Sequence, residues 1–225
     1  MLRSTLITAS RHRAGQTESL SEVAYRILKD KIITSQLPPA TLVNEAALMA
    51  ELEMGRTPIR EAFQRLAHEN LVVILPRRGI LVADLNLSDL QKVFELRLEL
   101  ETCAVRLAAK RATPEQIAGM EALFADADGI IRSGDHHQLI LLDHQAHVLI
   151  AQAAHNEFLQ EALERLYNHV LRLWYVSLHK VSRLSEAIEE HRDLIAALKA
   201  GDGDRAAQIM RAHISGFQAE FMAVS

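Results

Sequence analysis

Residues 54–66, "MGRTPIREAFQRL", alternate apolar and polar positions with the period of an α-helix. Ile59, Ala62, Phe63 and Leu66 follow the spacing i, i+3, i+4, i+7, which predicts one buried face. The opposite arc is polar and consists of Thr57, Arg60, Gln64 and His68, with Arg56 at its leading edge. Periodicity alone leaves two interpretations open: an ordinary solvated surface, or a face that contacts a partner.

The segments on either side of this helix narrow the choice. "SLSEVAYRILKDKII" has helical periodicity and ends at "LPPA", and "NEAALMAEL" predicts a second, short helix. "LVVIL" and "ILVA" flank the basic turn "PRRG", which predicts a β-hairpin. Three helices and a basic hairpin are the layout of a winged helix-turn-helix, whose third helix enters the major groove of DNA. Arg60 and Gln64 could then donate to base edges, Thr57 could hold a phosphate, and Arg77 and Arg78 would charge the wing.

From Ser88 onward the hydrophobic pattern predicts helices, and no segment has a convincing strand pattern. Thr113 to Gln116 form a capping box with Pro114 at the first helical position, and Gly201 follows a helix as a stop signal. About six helices are indicated, over 88–111, 114–132, 135–153, 156–178, 183–199 and 204–222. The predicted fold is therefore mostly α, with an N-terminal winged helix-turn-helix followed by an antiparallel all-α bundle.

Composition agrees with a globular protein in a reducing compartment. Of the 225 residues, 49% are apolar and 24% charged, and the single Cys103 cannot form an internal disulfide. No apolar run approaches the roughly 20 residues of a membrane helix. The first residues lack the apolar core of a signal peptide, so we expect a flexible tail over 1–16 and a cytoplasmic protein.

The net charge changes sign near the boundary between the predicted winged helix-turn-helix and the predicted helical bundle. Residues 1–85 carry 11 Lys and Arg against 9 Asp and Glu, a balance of +2, and the remainder has a balance of −6. A small basic head on an acidic body is the expected result. We therefore predict a DNA-binding domain over 17–86 and a second, helical domain over 87–225.

Polar residues interrupt the apolar stripes of three helices in the second domain. Asp143 and His147, four residues apart, share the inward face of one helix, and His191 and His213 lie on the inward faces of the last two. One inward histidine is usually a core residue bonded to a backbone carbonyl, and an arginine could neutralise Asp143. Four such groups are harder to explain this way, because burying them without partners is costly. A divalent metal would satisfy all four.

The stretch "LMAELEMGRTPIREAFQRLAHENLVVILPRRGILV" resembles the DNA-binding domain of the GntR family of bacterial transcription regulators. In that family a Ser-Arg-Thr-Pro-Val-Arg-Glu-Ala-Leu string opens the recognition helix and a Pro-x-x-Gly turn forms the wing. The resemblance implies that Arg56, Thr57 and Arg60 contact DNA and that Gly79 lets the wing backbone approach it. Gly55 stands where the family usually has Ser, which removes a hydroxyl that could cap the helix.

The second domain resembles the effector domain of FadR-type GntR regulators, the FCD domain. "DHQAH", "EHRDLIAALKAGD" and "MRAHI" fit the Asp-x-x-x-His and two later His of its metal-binding members. The resemblance implies that Asp143, His147, His191 and His213 are metal ligands. Zn²⁺ suits this donor set, with Ni²⁺ or Mn²⁺ open. The resemblance to these regulators also implies a homodimer. The two-fold symmetry of a homodimer predicts a palindromic operator.

One further polar residue, Arg97, lies in the apolar stripe of the first bundle helix. It could form a buried ion pair with Glu101 at i, i+4, or offer its guanidinium to the carboxylate of a ligand. Family members place an arginine similarly, which implies a small organic acid as the effector.

The main hypothesis is a ligand-responsive regulator, a repressor released from DNA by its effector, and not an enzyme. Two alternatives remain at the level of sequence. A metal with open positions could activate water in a hydrolase, although no separate general base is recognisable. The metal could instead be purely structural, in which case no small molecule would change DNA binding.

Overall fold

The structure is a computed structural model that describes residues 18–177 and 183–224. The predicted tail, residues 1–16, lies outside the described residues. The chain divides into two compact units between Asp84 and Leu85. We call them unit 1 and unit 2.

Unit 1 contains three helices and a hairpin. Its elements are α1 (Leu20–Ile33), α2 (Glu45–Glu51), α3 (Arg56–His68), β1 (Val72–Leu75) and β2 (Gly79–Val82). The strands are antiparallel, with Val72 opposite Val82 and Leu75 opposite Gly79. Leu42 forms an isolated bridge to Leu81, so the segment before α2 lines the edge of the hairpin. This arrangement is the predicted winged helix-turn-helix.

The core of unit 1 forms where α1 packs against α3. Ile59, Ala62, Phe63 and Leu66 are completely buried, as their spacing predicted. Glu61 and Arg65 stand at i, i+4 on α3, a spacing that predicts an ion pair between them, and this prediction is wrong. Arg65 pairs with Glu22 on α1 and its guanidinium lies 3.8 Å from the centre of the Tyr25 ring, because the packing of α1 offers closer partners than the helix's own surface.

Unit 2 is a bundle of helices. In the described part of the chain these are α4 (Leu87–Arg111), α5 (Pro114–Leu123), α6 (Ala127–Ser133), α7 (His136–Ala153), α8 (Glu157–Ser177), α9 (Leu184–Lys199) and α10 (Gly203–Val224). α4 packs against α7, α8, α9 and α10, and α7 also packs against α8 and α9. The centre of unit 2 is therefore surrounded by five long helices.

The described part of unit 2 has seven helices where the sequence predicted about six. The single helix predicted over 114–132 is interrupted after Leu123, so that α5 and α6 are separate. Phe124 and Ala127, on either side of the interruption, are both buried, and the Phe124 ring stacks on His191. The break therefore lies at buried residues, although a spacing of three would also place both side chains on one face of a continuous helix.

The predicted helix boundaries agree with the observed caps. The Thr113–Gln116 capping box forms in both directions, and the Asn156 side chain accepts a hydrogen bond from the backbone N–H of Leu159. Gly201 adopts a positive φ of 70° after α9, a conformation that favours glycine. The predicted fold class is confirmed. No helix among the described residues has the length and apolar character needed to cross a membrane.

Candidate functional site

Four side chains of types that can bind a metal ion meet within unit 2. α7 supplies Asp143 and His147, α9 supplies His191, and α10 supplies His213. One donor atom from each residue lies within 4.8 Å of the others, and all four residues are between 1% and 4% exposed. His213 Nε2 is 3.2 Å from His147 Nε2 and 3.4 Å from Asp143 Oδ1. The structure thus brings together the four residues that the sequence pattern singled out.

Hydrogen bonds on the far side of each ring orient the three histidines. His213 Nδ1 donates to Glu190 Oε2 at 2.8 Å, His191 Nδ1 donates to the Ala187 carbonyl at 2.8 Å, and His147 Nδ1 donates to Glu101 Oε2. A carbonyl or carboxylate oxygen can only accept, so Nδ1 carries the hydrogen in every case. The neutral form of each ring then presents the Nε2 lone pair to the centre.

Asp143 is held in the same manner by a neighbour. Its Oδ2 accepts a hydrogen bond from the hydroxyl of Tyr167 on α8. Its Oδ1 points towards the histidines and, like His191 Nε2, has no hydrogen-bond partner among the described residues. Buried polar atoms without a partner are costly, and both belong to the cluster whose donor atoms lie within 4.8 Å of one another. A cation bound there would satisfy both atoms, so the residues fit a divalent metal.

Electrostatics favour an anionic Asp143 and a neutral His191 at the centre. Burial alone would raise the pKa of Asp143, but the three facing histidines hold it well below its ordinary value. Burial, together with the neighbouring His213, lowers the pKa of His191 to about 3. At neutral pH Asp143 and His191 therefore have the protonation states that metal ligands require. Burial lowers the pKa of His213, but its hydrogen bonds to Asp143 and Glu190 outweigh burial and raise that pKa, so a metal bound there would displace a proton.

Arg97 forms the buried ion pair with Glu101 that the i, i+4 spacing allowed. It is buried and pairs with Glu101, its Nε lying 2.5 Å from Glu101 Oε1. Its Nη2 also reaches His147 Nε2 at 3.1 Å, and the guanidinium lies 4.6 Å from the centre of the Tyr167 ring. Burial raises the pKa of Glu101, but His147 and Arg97 outweigh it and lower the pKa to about 2. Arg97 is therefore both a partner of an ionised Glu101 and a guanidinium at the edge of the cluster.

The residues predicted to contact DNA lie on the surface of unit 1. Arg56, Thr57, Arg60 and Gln64 are exposed along α3, opposite its buried face. Arg60 is 3.0 Å from Glu45 on α2, an ion pair in which the arginine stays more than half exposed. Gly55 caps α3 without a side-chain hydrogen bond, as expected for a residue without a hydroxyl.

The turn between β1 and β2 presents the two wing arginines. Arg77 and Arg78 are exposed, and Arg77 adopts a φ of 61°. Gly79 has a φ of 101°, a backbone conformation that other residues rarely adopt. The glycine thus closes a tight turn that carries two adjacent positive charges.

Both units match known protein families. Residues 20–82 match the bacterial regulatory proteins of the gntR family, and residues 92–216, more than half of the chain, match the FCD domain. The chain belongs to the GntR family of regulators that carry an FCD domain. The GntR resemblance noted from the sequence is therefore confirmed, and the chain is a DNA-binding transcription regulator.

Curated relatives of this GntR regulator have related roles. The HTH-type transcriptional repressor RspR of Escherichia coli K12 is 28% identical over 88% of this chain and 87% of its own length. The HTH-type transcriptional repressor GlaR of the same organism is 30% identical over 84% of this chain and 90% of its own length. Family and relatives are transcription regulators rather than enzymes, which confirms the expectation for this chain.

Solved structures share the fold of the GntR regulator. E. coli McbR/YncC is similar with a TM-score of 0.82 at 24% identity, covering 93% of this chain and all of the other. A GntR regulator from Rhodococcus sp. RHA1 is similar with a TM-score of 0.77 at 21% identity, covering 92% of this chain and all of the other. At these identities the likeness concerns the fold alone.

Sequence reasoning missed several residues around the central cluster of this regulator. The sequence pattern singled out neither Tyr167 nor Glu190, and it indicated Glu101 only as a partner of Arg97. His144 was not singled out either, yet it is buried with its ring 4.6 Å from that of Tyr167. The i, i+4 spacing could have pointed to Glu101, but Glu190 contacts a histidine on another helix and left no periodic signal.

Proposed function

We propose that this GntR regulator is a metal-dependent repressor that leaves a palindromic operator when a small organic acid binds in unit 2. The observation that carries the proposal is the buried meeting point of Asp143, His147, His191 and His213. Each of these side chains is hydrogen-bonded on its far side, so its remaining donor atom is directed to one place. Such preorganisation is typical of metal ligands.

The donor set supports a divalent ion held by Asp143, His147, His191 and His213. Three imidazole nitrogens and one carboxylate oxygen are ligands that Zn²⁺ accepts in proteins, and Ni²⁺ or Mn²⁺ are alternatives. When bound, the ion would supply a positive charge to which the carboxylate of an organic acid can coordinate.

Arg97 supports the choice of an acid as the effector. Its guanidinium lies beside His147 and offers donors in the planar arrangement that matches a carboxylate. Glu101 holds Arg97 in place through an ion pair, so the arginine is oriented before a ligand arrives. The apolar side chains of the bundle would select the rest of the molecule.

The exposed face of α3 and the wing support DNA binding by unit 1. Arg60 and Gln64 carry donors suited to base edges, and Arg56 and Thr57 lie at the start of α3, where a phosphate is favoured. The wing adds Arg77, Arg78 and Gly79. A homodimer would place two copies of α3 on the two halves of a palindrome. Because its target is DNA, we place the protein in the cytoplasm.

Binding in unit 2 changes DNA affinity only if the acid binds one arrangement of the dimer more tightly than another. A coupling of about 1–3 kcal/mol would change operator affinity roughly 5- to 150-fold. Release of DNA is the expected direction, since the relatives RspR and GlaR are repressors.

The test combines calorimetry with a DNA-binding titration. DNA selected by the protein from a random-sequence pool serves as the operator, and acetate, lactate, succinate and citrate serve as ligands. The protein forms are wild type, Arg97→Lys, zinc-depleted wild type, and Arg106→Ala. Arg106 lies on the same helix but is half exposed and pairs with Asp204, so its variant is the matched control.

Wild type and Arg106→Ala should bind one of the acids and lose operator affinity, whereas Arg97→Lys and the depleted protein should not. Acid binding that is equal in all four forms would contradict the mechanism. If zinc binds and no acid changes DNA affinity, the metal is purely structural and the regulatory part of the proposal is wrong.

A further inference from the structure

A second Arg–Glu–His chain lies on the other side of the central cluster. The first chain is buried and joins Arg97 through Glu101 to His147. In the second, Arg183 Nη2 lies 2.5 Å from Glu190 Oε1, and the other oxygen of that carboxylate accepts the hydrogen of His213 Nδ1 at 2.8 Å. The two chains approach the cluster through two different histidines.

The second chain is more exposed than the first. The side chains of Arg183 and Glu190 are 19% and 26% exposed, whereas those of Arg97 and Glu101 are 2% and 3% exposed. A partly exposed glutamate has several solvated rotamers open to it, so packing alone does not hold its carboxylate on the imidazole. The contact from Arg183 supplies the missing restraint.

Gly216 provides the space in which the Arg183 guanidinium lies. A Cβ atom at this position of α10 would stand 1.4 Å from Arg183 Nη1 and 2.3 Å from its Cζ. Any side chain at position 216 would therefore occupy the place of the guanidinium. The guanidinium also lies 5.5 Å from the centre of the Phe217 ring, which contacts the ring of His213.

We infer that Arg183 and Glu190 are positioning residues for His213, and that Gly216 is required because it admits the Arg183 side chain. The inference rests on the metal site proposed above. Glu190 keeps the hydrogen of His213 on Nδ1 and the lone pair of Nε2 directed at the metal. Arg183 holds the Glu190 carboxylate in place, so it strengthens metal binding without touching the metal.

The test measures Zn²⁺ affinity of the full chain by competition with a chromophoric chelator. Gly216→Ala is the central variant, because alanine suits a helix and the atoms it displaces are the far end of a flexible side chain. Gly119→Ala in α5 is the matched control, since a Cβ there meets nothing within 4 Å. Arg183→Ala, Arg183→Lys and the Arg183→Ala, Gly216→Ala double variant complete the set.

Removing an outer hydrogen-bond partner of a metal ligand typically weakens binding about 10- to 100-fold, and we expect about tenfold for Gly216→Ala and for Arg183→Ala. The double variant should bind no more weakly than Arg183→Ala, because both changes remove one contact. Arg183→Lys keeps a charge that can reach Glu190 and should recover part of the affinity. Gly119→Ala should bind like wild type.

Wild-type affinity in Gly216→Ala, or a further loss in the double variant, would overturn the inference while leaving the metal site intact. Thermal unfolding in excess EDTA separates positioning from folding. The metal-depleted Gly216→Ala and wild-type proteins should have the same Tm. A much lower Tm in the variant would mean that it binds the metal weakly because its fold is damaged, which would contradict the inference. If wild type binds no zinc, nickel or manganese, the proposed metal site is wrong and the inference fails with it.

Discussion

The Nε2 atoms of His147 and His213 lie 3.2 Å apart at the centre of unit 2. Because both rings donate their Nδ1 hydrogens to carboxylates, the neutral rings would direct two lone pairs at each other, and the Arg97 guanidinium reaches only that of His147. A positive charge between them removes this repulsion and also satisfies Asp143 Oδ1. This relationship is the physical reason for proposing a metal.

Metal removal should destabilise the protein. A ligand that binds only the folded state adds about 2.7 kcal/mol when its concentration is 100 times its dissociation constant. We expect EDTA to lower the Tm, and added Zn²⁺ to restore it, in differential scanning fluorimetry. The same additions should leave the Tm of His191→Ala unchanged. A wild-type Tm that changes with neither EDTA nor Zn²⁺ would contradict the prediction.

Loss of Glu101 should be strongly destabilising. Glu101→Ala leaves the buried Arg97 without its ion-pair partner and removes the acceptor of His147 Nδ1. Removing one partner of a buried ion pair costs about 3–5 kcal/mol. Urea unfolding measures the loss. Glu99→Ala, on the same helix but exposed, is the control and should unfold like wild type, so equal stability of the two variants would refute the role of Glu101.

The Tyr167 hydroxyl should contribute to metal binding. Tyr167→Phe keeps the ring but removes the donor to Asp143 Oδ2, which leaves that oxygen free to turn. We expect Zn²⁺ affinity to fall about tenfold in chelator competition. Tyr175→Phe, on the same helix, removes a hydroxyl that contacts the exposed His137 and serves as the control. Equal affinities of the two variants would show that the Tyr167 hydroxyl has no such role.

Two arginines of unit 1 should affect DNA binding in different ways. Arg60→Ala should cost about 1–3 kcal/mol and relax base preference, since Arg60 lies on the face predicted to enter the groove. Arg77→Ala should weaken binding evenly across sequences and flatten its salt dependence. Fluorescence anisotropy with operator and scrambled DNA at several salt concentrations measures both effects. An Arg60→Ala protein with wild-type preference would refute the groove assignment.

The sequence predicted those parts of the molecule that depend on local periodicity. The α3 stripe is regular enough to identify Ile59, Phe63 and Leu66 as core, and polar interruptions of other stripes identified the four clustered side chains. The break between α5 and α6 was missed because nothing at Phe124 disfavours a helix locally. In the folded chain the Phe124 ring at this break stacks on His191 of α9.

The partners of the four residues were harder to predict for the same physical reason. Glu190 lies next to His191 in sequence but bonds His213 on the following helix, and Tyr167 reaches Asp143 from α8. Such contacts join helices whose relative rotation is set by packing of the whole bundle. A single sequence records the spacing within a helix and carries no comparable signal between helices.

The most direct test of the account is elemental analysis of purified protein after saturation with Zn²⁺ and removal of the excess. The account predicts about one metal ion per chain in wild type and almost none in a His191→Ala, His213→Ala double variant, because two of the four donors are gone. Circular dichroism should show that the variant is folded. Full occupancy in the folded double variant, or no metal in wild type, would contradict the account.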